Sequence, residues 1–267
     1  TRQPSPRCGA ARCRRAGVPR NRGSATMVHV YGSAYGEGME PVNRREMSTS
    51  FGRAAASYEA GRPGYPAAAV EWMLQPVAAS AARVRVADVG SGTGKLTRVL
   101  VDAGAEVVAV DPDPLMLAAL AEAVPGVPTL VGSAEQLPLP DASVDAVVLG
   151  QAWHWVDPEL GSREAGRVLS AGGVLGLVWN IRDGKTPWVA RMTEIMHRSN
   201  AEEMMAEGGP DVLAPFGKVE TQTFTWSRSM TAAALLEMAR SRSFSTTCVG
   251  LHIGDLLDKE AVKRLDV

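Results

Sequence analysis

The run Val84-Arg85-Val86-Ala87-Asp88-Val89-Gly90-Ser91-Gly92-Thr93-Gly94-Lys95-Leu96 constrains the fold more than any other stretch. Its β-branched start reads as a buried strand, its alternating glycines as a tight turn, and Leu96, Val99, Leu100 and Ala103 as one face of a following helix. Glycines belong in such a turn because a Cβ would forbid left-handed backbone and hold the chain off a ligand. A strand, turn and helix start of this kind is expected to present backbone N–H groups to a ligand. Asp88 falls at the carboxyl end of the strand, where open α/β sheets bind.

Three ligand classes compete for the turn. A phosphate loop needs G-x-x-x-x-G-K-[ST], but Val89 stands in the first glycine's place and Leu96 in the hydroxyl's. A dinucleotide fingerprint, G-x-G-x-x-G, puts its last glycine where this chain has Lys95, so a nicotinamide oxidoreductase is the disfavoured alternative. The third class requires an acidic residue before G-x-G-x-G, as in Asp88-Val89-Gly90-Ser91-Gly92-Thr93-Gly94. A second apolar strand, Glu106–Val110, ends in Asp111, about twenty residues after the first glycine, the spacing at which a carboxylate meets a ribose diol.

With these two anchors the chain resembles the class I methyltransferases that use S-adenosyl-L-methionine (SAM), over about residues 51–244. The expected fold is therefore α/β, a doubly wound, Rossmann-like and mostly parallel sheet. The resemblance implies that Gly90, Ser91, Gly92 and Gly94 carry the methionine–ribose side of the cofactor, that Asp88 binds or orients its amino end, and that Asp111 takes the ribose hydroxyls. Pro112 and Met116 would lie by the adenine. Many relatives have an acidic residue where Ser133 stands, so adenine recognition falls to Ser133, the Ala134 amide and Glu135.

Helix and strand alternate after the turn, as a doubly wound sheet demands. The strand ending at Gly150 delivers Gln151-Ala152-Trp153-His154-Trp155 to the carboxyl edge. Gln151 is expected at the cofactor and Trp155 in the acceptor pocket wall. His154 is the candidate general base, since a neutral imidazole can take a proton from a hydroxyl or amine. The competing reading makes it a packed, non-titrating residue. The strand 173–179 leads to Asn180 and Arg182, which either contact an acidic substrate or, for Arg182, pair with Asp183 at the rim. Upstream, Tyr58 and Arg62 are candidates to cover the cofactor and Tyr65 to face the substrate, because a guanidinium can clamp a carboxylate and an aromatic ring can cover a sulfonium. The Arg62-Pro63-Gly64-Tyr65-Pro66 run and the Ser241-Arg242-Ser243-Phe244 stretch resemble the trans-aconitate methyltransferase-like subgroup. That resemblance implies a small-molecule acceptor, with a carboxylate as one candidate.

Residues 1–46 differ from the rest of the chain. Arg2, Arg7, Arg12, Arg14, Arg15, Arg20 and Arg22 crowd a Pro/Gly/Ser background with no acid before Glu37. A transit peptide or nucleic-acid arm fits that composition, but a disordered basic extension fits better, leaving 47–267 as the catalytic domain. The net charge of -1 leaves no broad basic footprint for nucleic acid, and no apolar run approaches a bilayer span. Cys8, Cys13 and Cys248 form neither a disulfide framework nor a metal site, which points to the cytoplasm. Such folds close with a last antiparallel strand. Here that strand is missing, or Thr246–Ile253 replaces it, and an open edge would invite dimerisation or aggregation, so the chain is expected as a monomer or a homodimer. A SAM-binding protein without catalysis, or a truncated methyltransferase, is therefore the second functional reading.

Overall fold

The computed structural model describes residues 24–31, 64–79, 82–196, 198–227 and 235. Seven strands form one sheet: β1 (Ser24–Tyr31), β2 (Arg85–Val89), β3 (Glu106–Asp111), β4 (Thr129–Val131), β5 (Val144–Gly150), β6 (Leu169–Ile181) and β7 (Val219–Thr225). Their order is β4-β3-β2-β5-β6-β1-β7, and every ladder is parallel. The helices are α1 (Ala67–Ala78), α2 (Lys95–Asp102), α3 (Pro114–Ala123), α4 (Pro158–Val168), α5 (Pro187–Met196) and α6 (Asn200–Ala206). This is the doubly wound architecture expected from the alternation. The sheet order reverses between β2 and β5, which opens a crevice at their carboxyl ends.

Two apolar layers hold the sheet. On one side α1 buries Ala69, Val70, Met73, Leu74 and Val77, packed with Val86, Leu96, Leu100, Val148 and Val178. On the other, Val89, Val147, Leu149, Leu175, Leu177 and Trp179 pack with Val168 and Phe216. The central strands are apolar nearly throughout because both faces are covered. Helix starts follow their caps. Asp113 accepts from Leu115 N at 2.9 Å before Pro114 opens α3, and Asp157 accepts from Glu159 N and Leu160 N before Pro158 opens α4. The helix that Val189, Met192, Ile195 and Met196 predict over 186–199 is α5, which ends at Met196, and Ser199 and Glu202 then close a reciprocal capping box that starts α6.

The N-terminal boundary needs correction. Residues 24–31 lie within the stretch read as a disordered extension, yet they form β1, paired with β6 on one side and β7 on the other. The physical reason is local. Thr26-Met27-Val28-His29-Val30-Tyr31 is rich in β-branched and aromatic residues and is bounded by Gly23 and Gly32, a strand signal diluted by the arginines around it. The place between β6 and β7 is thus filled from the N-terminal side. The sequence also predicts helices over 231–241 and 256–265, and these, with the strand-like segment 246–253, lie outside the described residues apart from Leu235. No helix among the described residues is long and apolar enough to cross a membrane.

Candidate functional site

The crevice at the switch point is lined by Tyr65, Asp88, the turn from Gly90 to Thr93, Lys95, Leu96, Gly150, Gln151 and Asn180. Four elements converge there: β2 with the turn into α2, β5, β6 and the approach to α1.

Left-handed backbone at Gly90, Gly92 and Gly94 (φ 67°, 54° and 87°) makes the turn. A Cβ on Gly90 would meet Ala152 Cβ at 2.6 Å and one on Gly94 would meet Leu120 Cγ at 2.9 Å, whereas Gly92 has nothing within 4 Å. Packing fixes the outer glycines, and Gly92 faces open space. The expected direction of the amides is overturned. Gly90 N and Ser91 N both donate to Val110 O, at 2.8 and 3.2 Å, and Gly94 N donates to Ser91 O. Gly92 N donates to Asp111 Oδ2 at 2.8 Å. The turn uses these N–H groups on its own protein because β3 stands alongside with acceptors to offer.

The crevice therefore keeps unpaired polar oxygens of its own. Among the described residues, Asp88 Oδ1, Ser91 Oγ and Asn180 Oδ1 are buried without a hydrogen-bond partner, and all three residues line this one cleft. Buried acceptors left unpaired cost roughly 1–3 kcal/mol each, so their convergence marks a place for a ligand that brings N–H or O–H groups. Asp88 is fully buried, and its other oxygen accepts from Thr97 Oγ1 at 2.6 Å. Burial raises its pKa to about 7, the Thr97 hydrogen bond opposes that rise, and the nearby Asp111 carboxylate adds to it. Asp111, at the end of β3, is held by Gly92 N and by Asp113 N. Burial raises its pKa as well, against those two amides.

The far wall carries backbone strain. Gln151 adopts φ 57°, costly for a residue with a Cβ. It is locked by its N–H to Val178 O at 2.9 Å and its side-chain amide to Asn180 O at 3.1 Å. Asn180 in turn donates to Gly64 O at 3.3 Å, and this bond fixes the segment that carries Tyr65. The Tyr65 hydroxyl lies where a Cβ on Gly150 would be, 2.7 Å away, so glycine at 150 is what lets the ring close over β5.

Other expected site residues sit elsewhere. Glu135 Oε1 accepts from Asp157 N at 3.1 Å, Ala134 packs in the core, and Ser133 closes a small bridge with Gln136. With Pro112 and Met116, these lie outside the lining of the Asp88 cleft. Arg182 is neither at the rim nor paired with Asp183. It is buried and forms a two-pronged ion pair with Glu202, at 2.9 and 2.7 Å, which anchors α6 and turns its guanidinium away from a substrate role. His154 Nδ1 accepts from Trp179 Nε1 at 3.3 Å, and its ring lies 4.8 Å from that of Trp155. Its Nδ1 is thus engaged by the protein rather than turned to a substrate. Tyr58 and Arg62 lie outside the described residues. Thr93, Lys95, Leu96 and Gly150 line the cleft in addition to the residues expected there. The first three sit inside the glycine turn or the helical turn after it, and that position is the signal that could find them.

Comparison with known proteins agrees in kind. The family described as "Methyltransferase domain" matches residues 87–177. An uncharacterized methyltransferase of Mycobacterium tuberculosis is 47% identical over 205 residues, covering 77% of this chain and 81% of that protein. An uncharacterized methyltransferase-like protein of Schizosaccharomyces pombe is 35% identical over 200 residues, covering 73% and 78%. Among solved structures, a SAM-dependent methyltransferase of Thermotoga maritima overlays 57% of this chain and 70% of its own, with 28% identity and a TM-score of 0.39.

Proposed function

The chain belongs to the SAM-dependent methyltransferase family, and we propose that its acceptor is a small molecule methylated at the Asp88 cleft, with a carboxylate as the first candidate. The observation that carries this reading is the convergence of Asp88 Oδ1, Ser91 Oγ and Asn180 Oδ1 on one cleft. These acceptors suit the ammonium and hydroxyl donors of SAM, and the inward-turned amides of Gly90, Ser91 and Gly92 give no cradle for the pyrophosphate of a dinucleotide.

When bound, the cofactor supplies a methyl group on a sulfonium, already joined to a good leaving group. The chain's own contribution is to bind and orient. In this reading Asp88 and Asn180 hold the amino-acid end, and Asp111, pinned by two amides, presents its remaining lone pairs to the ribose hydroxyls. Tyr65 and Gln151 shape the acceptor side and exclude water. Orientation of this kind can supply about 7–11 kcal/mol of a barrier. A carboxylate acceptor has no proton to lose, which suits a His154 whose Nδ1 is engaged by Trp179. With Arg182 committed to Glu202, Lys95 is the cation among the residues described at this cleft.

The experiment is an acceptor screen of the full chain with methyl-labelled SAM against small carboxylates, phenols and amines, read as label transfer and S-adenosylhomocysteine (SAH) formed. Transfer to a carboxylate at a rate unchanged by His154→Gln supports the proposal. Transfer confined to amines or phenols, abolished by that substitution, would restore a base and refute the carboxylate. SAM binding without transfer to any acceptor would favour the non-catalytic reading.

A further inference from the structure

Thr97 stands on the third position of α2 with its side chain fully buried. A helical threonine commonly returns its hydroxyl to its own helix, to a carbonyl one turn back. This one crosses to β2 and donates to Asp88 Oδ2 at 2.6 Å. The bond fixes which carboxylate oxygen is engaged by the protein, so that Oδ1 is the one left unpartnered in a residue lining the cleft. We propose that Thr97 is a positioning residue for cofactor binding, holding Asp88 by one oxygen so that the other meets the ammonium group of the cofactor as an anion.

This inference rests on the methyltransferase reading and goes beyond it by assigning a role to a residue that touches no ligand. The charged and titratable neighbours of Asp88 show why such a group is needed. Asp111 on β3 disfavours a second negative charge, and burial disfavours any charge at all. The Thr97 hydroxyl works against both. Lys95 lines the same cleft from the start of α2. Without the Thr97 hydroxyl, Asp88 would hold its proton to higher pH, and a neutral carboxyl is a poor partner for an ammonium group.

The test is calorimetric titration of the full chain from pH 6 to 9 with two probes. SAH carries the ammonium group, and 5′-methylthioadenosine lacks the amino-acid portion. For the wild type, SAH affinity should climb through about pH 7. Thr97→Val should displace that climb upward by about one unit, weakening SAH about tenfold near neutrality. Thr97→Ala should behave alike should the valine variant fail to fold, and Thr97→Ser should restore the wild-type profile. Methylthioadenosine should bind all four proteins equally. Superimposed SAH profiles for wild type and Thr97→Val or Thr97→Ala, or equal losses of both probes, would overturn the inference while the methyltransferase reading stands. A folded wild-type chain that binds neither probe overturns both.

Discussion

The two ends of β2 treat charge in opposite ways. At its amino end Arg85 forms a two-pronged pair with Asp145 of β5, at 3.0 and 2.7 Å, and Asp145 also accepts from Arg85 N and Ser170 Oγ. The guanidinium lowers the Asp145 pKa to about 2. At the carboxyl end, three residues on, Asp88 has Thr97 for company, a second carboxylate nearby and a pKa pushed up by burial to about 7. One aspartate is settled by the fold, and the other is left wanting a cation. A sheet that satisfies its charges at one edge and leaves acceptors bare at the other has been shaped for stability at the first and for a ligand at the second.

The comparison predicts opposite consequences for substitutions only three residues apart. The largest effect is on binding. Asp88→Ala should weaken SAM by about 2–5 kcal/mol, roughly 30-fold or more, the usual loss when one partner of a buried charge pair is removed. Arg85→Ala should leave SAM affinity unchanged, and calorimetry on both variants checks the contrast. Next is pH. In the proposed contact the ammonium group meets an Asp88 anion, so wild-type affinity should fall about tenfold per unit as pH drops below about 7, while Asp88→Asn should show no such slope.

Stability of the ligand-free chain should run the other way. Asp88 binds its proton more tightly folded than unfolded, so its contribution is fully present below pH 3.8 and is lost as pH rises through about 7. Thermal melts of Asp88→Asn should therefore gain on the wild type across that window and hold the gain above it. Asp145 has the opposite sign. Its pair contributes above pH 3.8 and is lost as pH falls through about 2. Arg85 is nearly half exposed, so Asp145→Asn should cost only about 1 kcal/mol at neutral pH. The smallest effect concerns Gln151. Gln151→Gly relieves a left-handed backbone that costs about 1–2 kcal/mol but removes the bond to Asn180 O. Its melting temperature should hold or rise slightly while SAM binding weakens.

Local chemistry decides what can be read from the chain alone. The Gly90–Gly94 turn is legible because glycine is the residue that left-handed backbone selects, and Asp88 and Asp111 are legible because each ends an apolar strand. Thr97 is not, since a threonine inside a helical period carries no sign that its hydroxyl crosses to a strand nine residues back. The amide directions at Gly90 and Ser91 escape the sequence because they depend on Val110 O, a partner supplied by the parallel neighbour. Arg182 reads as a substrate contact until its distant partner Glu202 is brought beside it by α6. β1 is hidden by the arginines around it.

The proposed SAM site lies at the carboxyl edge of β2 and β3. The most direct measurement is calorimetric titration of the full chain with SAM at pH 8, wild type beside Asp111→Ala. The wild type should show saturable one-to-one binding, weakened in the variant by about 1–3 kcal/mol, the worth of a lost hydrogen bond to a charged group. A folded wild-type chain that takes up no SAM, or an Asp111→Ala variant that binds as tightly as the wild type, would contradict it.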